Sequence, residues 1–242
     1  MSEILLASKG NTFLGFMSAV GVLRLATKAG LPVRLGWAGH HARLTGCDRE
    51  QLRDLVEKAA AEAKFEPERT LKPDAKRLPW DFCGGGRVQL NKAIPEILDD
   101  LRANPEKIDR ALFGPWTWSD VGDPIGWVPT LRDHALRPHA PTKDKSFREN
   151  GAIWLAWEGI PVFGVVDGHP VGWFSPKGEP PTLRWPLWST PASLPTVRSL
   201  LRSRPRMGAT LGVVELWTVS KVRTSGKALV TTVPKPLGLD TR

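Results

Sequence analysis

The apolar positions near the amino terminus switch from one period to another within a few residues. "EILLA" is an apolar run of strand length, and behind it "NTFLGFMSAVGVLRLATKAG" sets Phe13, Phe16, Met17, Val20 and Leu23 at helical spacing. The pattern predicts a strand and then a helix of about four turns, started by Asn11 or Thr12 as cap and ended by Gly30. Gly15 and Gly21 inside it each weaken a helix by about 1 kcal/mol. Compensation by close packing is therefore expected: Met17, Val20 and Leu23 face the core, and Gly21 lies against another backbone. "VRLGWAG" and "ARLTG" read as paired strands around a polar turn of Gly39, His40 and His41. "DREQLRDLVEKAAAEAKF" reads as a surface helix with Asp48 as cap and Gln51 as its capping partner.

The charged run from Glu66 to Arg77 reads as a solvated linker, and "LPWDFCGGGRVQL" as a glycine-rich turn rather than a ligand cradle, because the usual phosphate-loop spacings are missing. Helices are predicted near 92–103 and 105–113, with Asn104-Pro105 opening the second and Gly114 closing it. In the second half, "GAIWLAWEG" is a short helix capped by Asn150. "PVFGVV" and "VGWF" are strands around a turn at Asp167-Gly168, "TLRWPLW" is extended, and "LPTVRSLLRS" is helical from about Pro195. "LGVVELWTVSKVR", "TSGK" and "ALVTTV" form a carboxy-terminal hairpin. The expected fold is α+β: a largely antiparallel sheet with flanking helices and a C-terminal β-hairpin, in a single domain over 1–242 with a helical insertion at about 48–113.

Composition narrows the classes. A chain of 242 residues, 41% of them hydrophobic, can bury a substantial core. The only cysteines, Cys47 and Cys83, make neither a disulfide framework nor a four-cysteine zinc site, and the reducing cytoplasm is the expected compartment. "MSEILLASKG" lacks the basic start of a signal peptide, and Gly15, Ser18, Gly21 and Arg24 interrupt the one long apolar stretch. Neither a leader nor a membrane span is predicted. The net charge of +9 is concentrated at one end, where residues 190–242 carry 9 Lys+Arg against 2 Asp+Glu. Such asymmetry predicts a polyanionic partner. Arg198 and Arg202 share a helix face, Arg204 and Arg206 extend it, and Lys221, Arg223 and Lys227 lie on the hairpin.

Catalytic chemistry has one candidate region, "WSDVGDPIGWVPTLRDHALRPHAP" at 118–141. A metal-dependent nuclease or phosphohydrolase could use Asp120 and Asp123 to hold a cation and His134 as base. Against it, Pro124, Pro129, Pro138 and Pro141 pin an extended course in which aspartates satisfy turn N–H groups. No nuclease signature, histidine–aspartate doublet or phosphate loop accompanies these residues, so no catalytic residue, metal or cofactor is assigned. The adjacent histidines, His40 and His41, point opposite ways on a strand and do not make a metal site. The glycine before the first helix, Gly10, fits ordinary capping better than phosphate binding. Eleven Trp and no Tyr are unusual: Trp154 and Trp157 fit a core, while Trp116, Trp118 and Trp127 fit either a core or a base-stacking surface beside cations such as Lys143, Lys145 and Arg148.

The order "GPWTWSD", "DPIGWVPTLRDHAL", "GAIWLAWEGIPVFGV" and "LRWPLWSTPASLPTVRSLL", together with the opening "NTFLGFMSAVGVLRLATKAG" before a strand pair ending near "LGWAG", resembles the accessory and large-subunit proteins of type I-G (formerly I-U) CRISPR systems. The likeness covers the first 40 residues and roughly 114–202, and at 242 residues the chain looks more like the small accessory protein described as an extension of the helicase-nuclease than like the much longer large subunit. The resemblance implies a non-catalytic subunit in antiviral defence that binds guide RNA, target DNA or other CRISPR-associated proteins. The exposed basic residues Arg132, Arg137, Lys143 and Lys145 are then further candidates for such a contact.

Overall fold

The computed structural model describes residues 3–66, 90–122, 125, 127, 147–163, 165–166, 169–170, 173–174, 182–202, 212–223 and 229–238. Strand β1 (Glu3–Lys9) runs into helix α1 (Phe13–Lys28), and β2 (Arg34–Ala38) and β3 (His41–Thr45) close an antiparallel sheet in the order β1-β3-β2. The Thr12 hydroxyl accepts the Gly15 N–H at 3.1 Å and so caps α1. Gly30, at φ +84°, takes the left-handed turn that ends it. His41 belongs to β3, paired with Ala38 on one side and Lys9 on the other, so the turn is one residue shorter than the pattern predicted.

Helices α2 (Arg49–Glu62), α3 (Leu90–Ala103) and α4 (Glu106–Phe113) follow, and the Asp48 carboxylate accepts the Gln51 N–H at 2.8 Å as expected of a cap. α3 starts two residues before the predicted boundary, which leaves Pro95 inside the helix. Strands β4 (Asp120–Val121) and β5 (Phe147–Arg148) pair with each other and lead into α5 (Asn150–Gly159) and a 3-10 turn, Ile160–Val162. Asn150 is not the cap of α5 but its first residue. Glu149 holds the cap position and makes no side-chain cap bond, because its carboxylate is engaged elsewhere.

The strands β6 (Val165–Val166) and β7 (His169–Pro170) pair only with each other. β8 (Trp173–Phe174) instead joins β9 (Thr182–Trp188), so the strands predicted around Asp167-Gly168 divide between two sheets. After α6 (Leu194–Arg202), the long β10 (Val213–Arg223) pairs with β9 on one side. On the other side it pairs with β11 (Leu229–Thr231) and β12 (Lys235–Leu237), completing a sheet of order β11-β10-β9-β8 with β12 on β10. The fold is α+β with antiparallel pairing throughout the described strands, and the C-terminal hairpin is β10–β11.

α1 and α5 form the centre. Every residue of α5 is buried, as is α1 from Phe13 to Leu23, the signature of helices enclosed on all sides. A Cβ on Gly21 would stand 1.8 Å from the Leu155 carbonyl oxygen, and one on Gly159 would stand 2.5 Å from that of Met17. The expected backbone approach at Gly21 is thus to α5, with a glycine on each helix at the contact.

Tryptophans join the two larger sheets to this pair. Phe16 stacks on Trp37 at 5.8 Å and touches Trp185 and Trp188 at 6.0 and 6.3 Å. Each such ring pair adds about 0.5–1.5 kcal/mol beyond its buried area. The Trp185 and Trp188 indole N–H groups donate to the carbonyls of Gly10 and Leu35 at 2.7 and 2.6 Å, and Leu35 exchanges both backbone hydrogen bonds with Ala192. A Cβ at Gly10 would meet the Trp37 ring and Leu187 at 2.7 Å, so packing, not phosphate binding, explains the glycine before α1. One hydrophobic cluster runs from Ile4 to Val219. Among the described residues no helix is long and apolar enough to cross a membrane.

Candidate functional site

Lys107 and Arg110, three residues apart on α4, lie on one helix face and meet three acids brought in by other elements. The Lys107 ammonium sits 2.7 Å from Asp100 at the end of α3 and 2.9 Å from Asp120 Oδ1 on β4. Arg110 reaches Asp120 Oδ2 at 2.9 Å and Glu149 Oε1 at 2.8 Å. Asp120 Oδ2 also accepts the Asn150 backbone N–H at 2.8 Å, and the Asn150 amide donates to Asp100 at 2.6 Å. Burial by itself pushes the Asp120 carboxyl up, but the Asn150 N–H, Lys107 and Arg110 outweigh it and hold it below the ordinary aspartate value of 3.8.

This arrangement answers part of the catalytic reading. Both oxygens of Asp120 are engaged, so a metal ion or a transferred proton would compete there with Lys107, Arg110 and a backbone amide. Asp123 and His134 lie outside the described residues, and among the described residues no three His, Cys, Asp or Glu side chains gather to hold a metal ion.

A carboxyl whose folded pKa is depressed stabilises the fold above its unfolded value, and that contribution is lost as the pH falls through the folded pKa. Asp120→Asn is therefore expected to lower the melting temperature most above about pH 4. The gap to the wild type should close at lower pH as the wild-type carboxyl protonates. Thermal melts between pH 7 and pH 2 read this directly, and a gap that stays constant would mean that Asp120 carries no native-state charge.

The same network shapes a cleft. Glu149, fully buried, accepts the Thr117 and Trp118 backbone N–H groups at 3.0 and 3.3 Å through Oε2. Trp118 is held at φ +52°, a left-handed conformation that costs a side-chain-bearing residue about 1–2 kcal/mol. The Trp116 indole N–H donates to the Ala111 carbonyl at 3.1 Å, which fixes that ring as well. Trp116 and Trp118 are half-buried, meet edge to face at 6.0 Å and 80°, and line a cavity of about 620 Å³ between β1 and the segment after α4. Trp127 is fully buried on its wall, while Lys9 on β1 and His41 on β3 are exposed at it. Among the described residues that line it, none is a carboxylate.

His40 and His41 part company. His40 Nε2 lies 3.1 Å from Glu215, whose carboxylate also accepts the Trp217 indole N–H at 2.7 Å, so this histidine ties the β2–β3 turn to β10. A carboxylate partner for His40 was invisible locally because it lies 175 positions away. Cys47 is buried, and burial followed by the nearby Asp48 pushes its thiol up, away from reactivity.

Of the basic residues, Arg198 is exposed on α6, while Val197 and Leu201 of the same helix are buried. Arg202 ends that helix, and Lys221 and Arg223 pair with Thr231 and Leu229 at the far end of β10. α6 packs on α1 and β9, and β9 pairs with β10, so helix and hairpin are linked through β9. Arg132, Arg137, Lys143, Lys145, Arg204, Arg206 and Lys227 lie outside the described residues. Sequence reasoning did not find Lys9, Asp100, Lys107, Arg110 or Glu149 as a group. Only the spacing of Lys107 and Arg110 was there to be read, as two cations on one helix face.

No family model matches this chain, and no curated protein matches it.

Proposed function

We propose that this protein is a non-catalytic, nucleic-acid-associated accessory subunit of a type I-G CRISPR defence system, working with guide RNA or target DNA and with other CRISPR-associated proteins in the cytoplasm. The observation that carries the nucleic-acid part is the charge distribution, 9 Lys+Arg against 2 Asp+Glu in residues 190–242 of a chain with net charge +9. The engagement of Asp120 by Lys107 and Arg110 supports a binding role over hydrolysis. The CRISPR part rests on the resemblance in motif order.

Phosphate contacts release counterions, so affinity should fall with salt at a log-log slope near −0.9 per duplex phosphate neutralised. Reversing Arg202, Arg206, Lys221 and Arg223 to Glu is expected to weaken binding and to flatten that slope. The measurement uses a repeat-containing guide RNA and a matching DNA at about 150 mM salt, where the Debye length is near 8 Å, with the fold of the variant checked by thermal melting. Unchanged affinity and slope in a folded variant would remove the contact from this region.

A further inference from the structure

The cleft beside Trp116 and Trp118 has the features of a built ligand site. Its volume of about 620 Å³ falls among ligand pockets, which span about 300–1,000 Å³. Two indoles meet there nearly at right angles, so a flat guest can stack on one and be walled by the other. Their positions are set in advance: the Trp116 N–H is bonded to Ala111, and Trp118 is kept in a strained conformation by the buried Glu149. Strain held in place by a buried acid, at residues whose rings line a cavity, is the kind of outlier that marks a ligand site. Ordering that is complete before binding also removes part of the entropy cost of capturing a guest.

The lining chemistry selects the guest. Among the described residues the walls are mainly aromatic and aliphatic, joined by Thr12, Lys9 and His41 and by no carboxylate, which suits a flat ring carrying a negative charge. A base inside a duplex is stacked above and below and paired at its edge, so it cannot reach a tryptophan in a cleft, whereas an unpaired one can. We propose that the cleft takes one unpaired nucleotide of a single-stranded nucleic acid, with its base against Trp116 and Trp118 and its phosphate at Lys9. This rests on the nucleic-acid reading and adds to it: the basic region supplies charge, and the cleft supplies the preference for unpaired bases.

The test separates bases from phosphates. Binding of a fluorescein-labelled 12-nucleotide single strand, as RNA and as DNA, is compared by anisotropy with an abasic strand of the same length and charge, and with AMP and UMP as competitors. The wild type is expected to bind the intact strand about 5- to 150-fold more tightly than the abasic one, the range that aromatic stacking supports. The Trp116→Ala/Trp118→Ala variant should lose that preference while keeping its abasic affinity, and Trp118→Phe should retain most of it. Lys9→Glu, at an exposed position, should weaken the intact strand without a change in melting temperature, and covers the case in which the double variant does not fold. Binding to both strands without preference, or a preference that survives loss of both tryptophans, overturns the cleft and leaves the nucleic-acid reading standing. Capture of AMP or UMP with no gain from a strand overturns the strand as source in favour of a free nucleotide. No binding to any strand overturns both readings.

Discussion

Gly21→Ala is expected to destabilise the protein by about 3 kcal/mol or more, at or above the upper end of the roughly 1–3 kcal/mol that overpacking costs. In an exposed helix the same change is favourable by about 1 kcal/mol, because alanine is the better helix former. Here the sign is inverted by geometry. The new methyl would stand 1.8 Å from the Leu155 carbonyl oxygen, and the atom in its way is backbone, which cannot rotate aside. α1 and α5 would have to separate, and both are buried along the contact, so the loss spreads to neighbours such as Met17 and Gly159. Urea denaturation with an unchanged m value would report it as a shift in midpoint. A variant as stable as the wild type would show that the two helices do not meet at this residue.

Glu149→Ala is expected to cost about 3–5 kcal/mol, the range for removing one partner of a buried ion pair. The carboxylate is fully buried and bonds Arg110 through one oxygen and the Thr117 and Trp118 N–H groups through the other. Its removal leaves a partly buried guanidinium and two backbone donors without it, and frees Trp118 from its left-handed conformation. Arg110→Ala should be costly for the reciprocal reason. The double variant should cost less than the two single ones together, since each single change orphans the other group. Strict additivity in that cycle would mean that the pair is not coupled in the folded protein.

Much of the local structure was legible because it is decided over a few residues. Thr12 and Asp48 cap the helices they precede, Gly30 ends the first one, and the β10–β11 hairpin follows from alternation around a turn. The stripe of Met17, Val20 and Leu23 is buried as its spacing predicts, and Gly21 announced a close neighbour without saying which. Misread points were those where distant groups compete for a local position. Asn150 has the residue type of a cap, yet its N–H goes to Asp120 and its amide to Asp100, while the true cap residue, Glu149, spends its carboxylate on Arg110. "VGWF" reads as the partner of the strand before it, but β8 finds β9, because hydrogen bonds between strands are indifferent to chain distance.

The candidate site was the least legible part. Asp120 looked like a cation ligand in isolation, and only tertiary contacts with α4 and the start of α5 turned it into a structural charge. Trp116, Trp118 and Trp127 all line the cleft, and burial alone separates Trp127, closed into its wall, from the half-buried Trp116 and Trp118. The charge asymmetry is a property of composition and needed no structure. Which aromatic rings stand beside which cation depends on where β1, β3 and the segment after α4 come together, and the chain brings those together through a core that no local period describes.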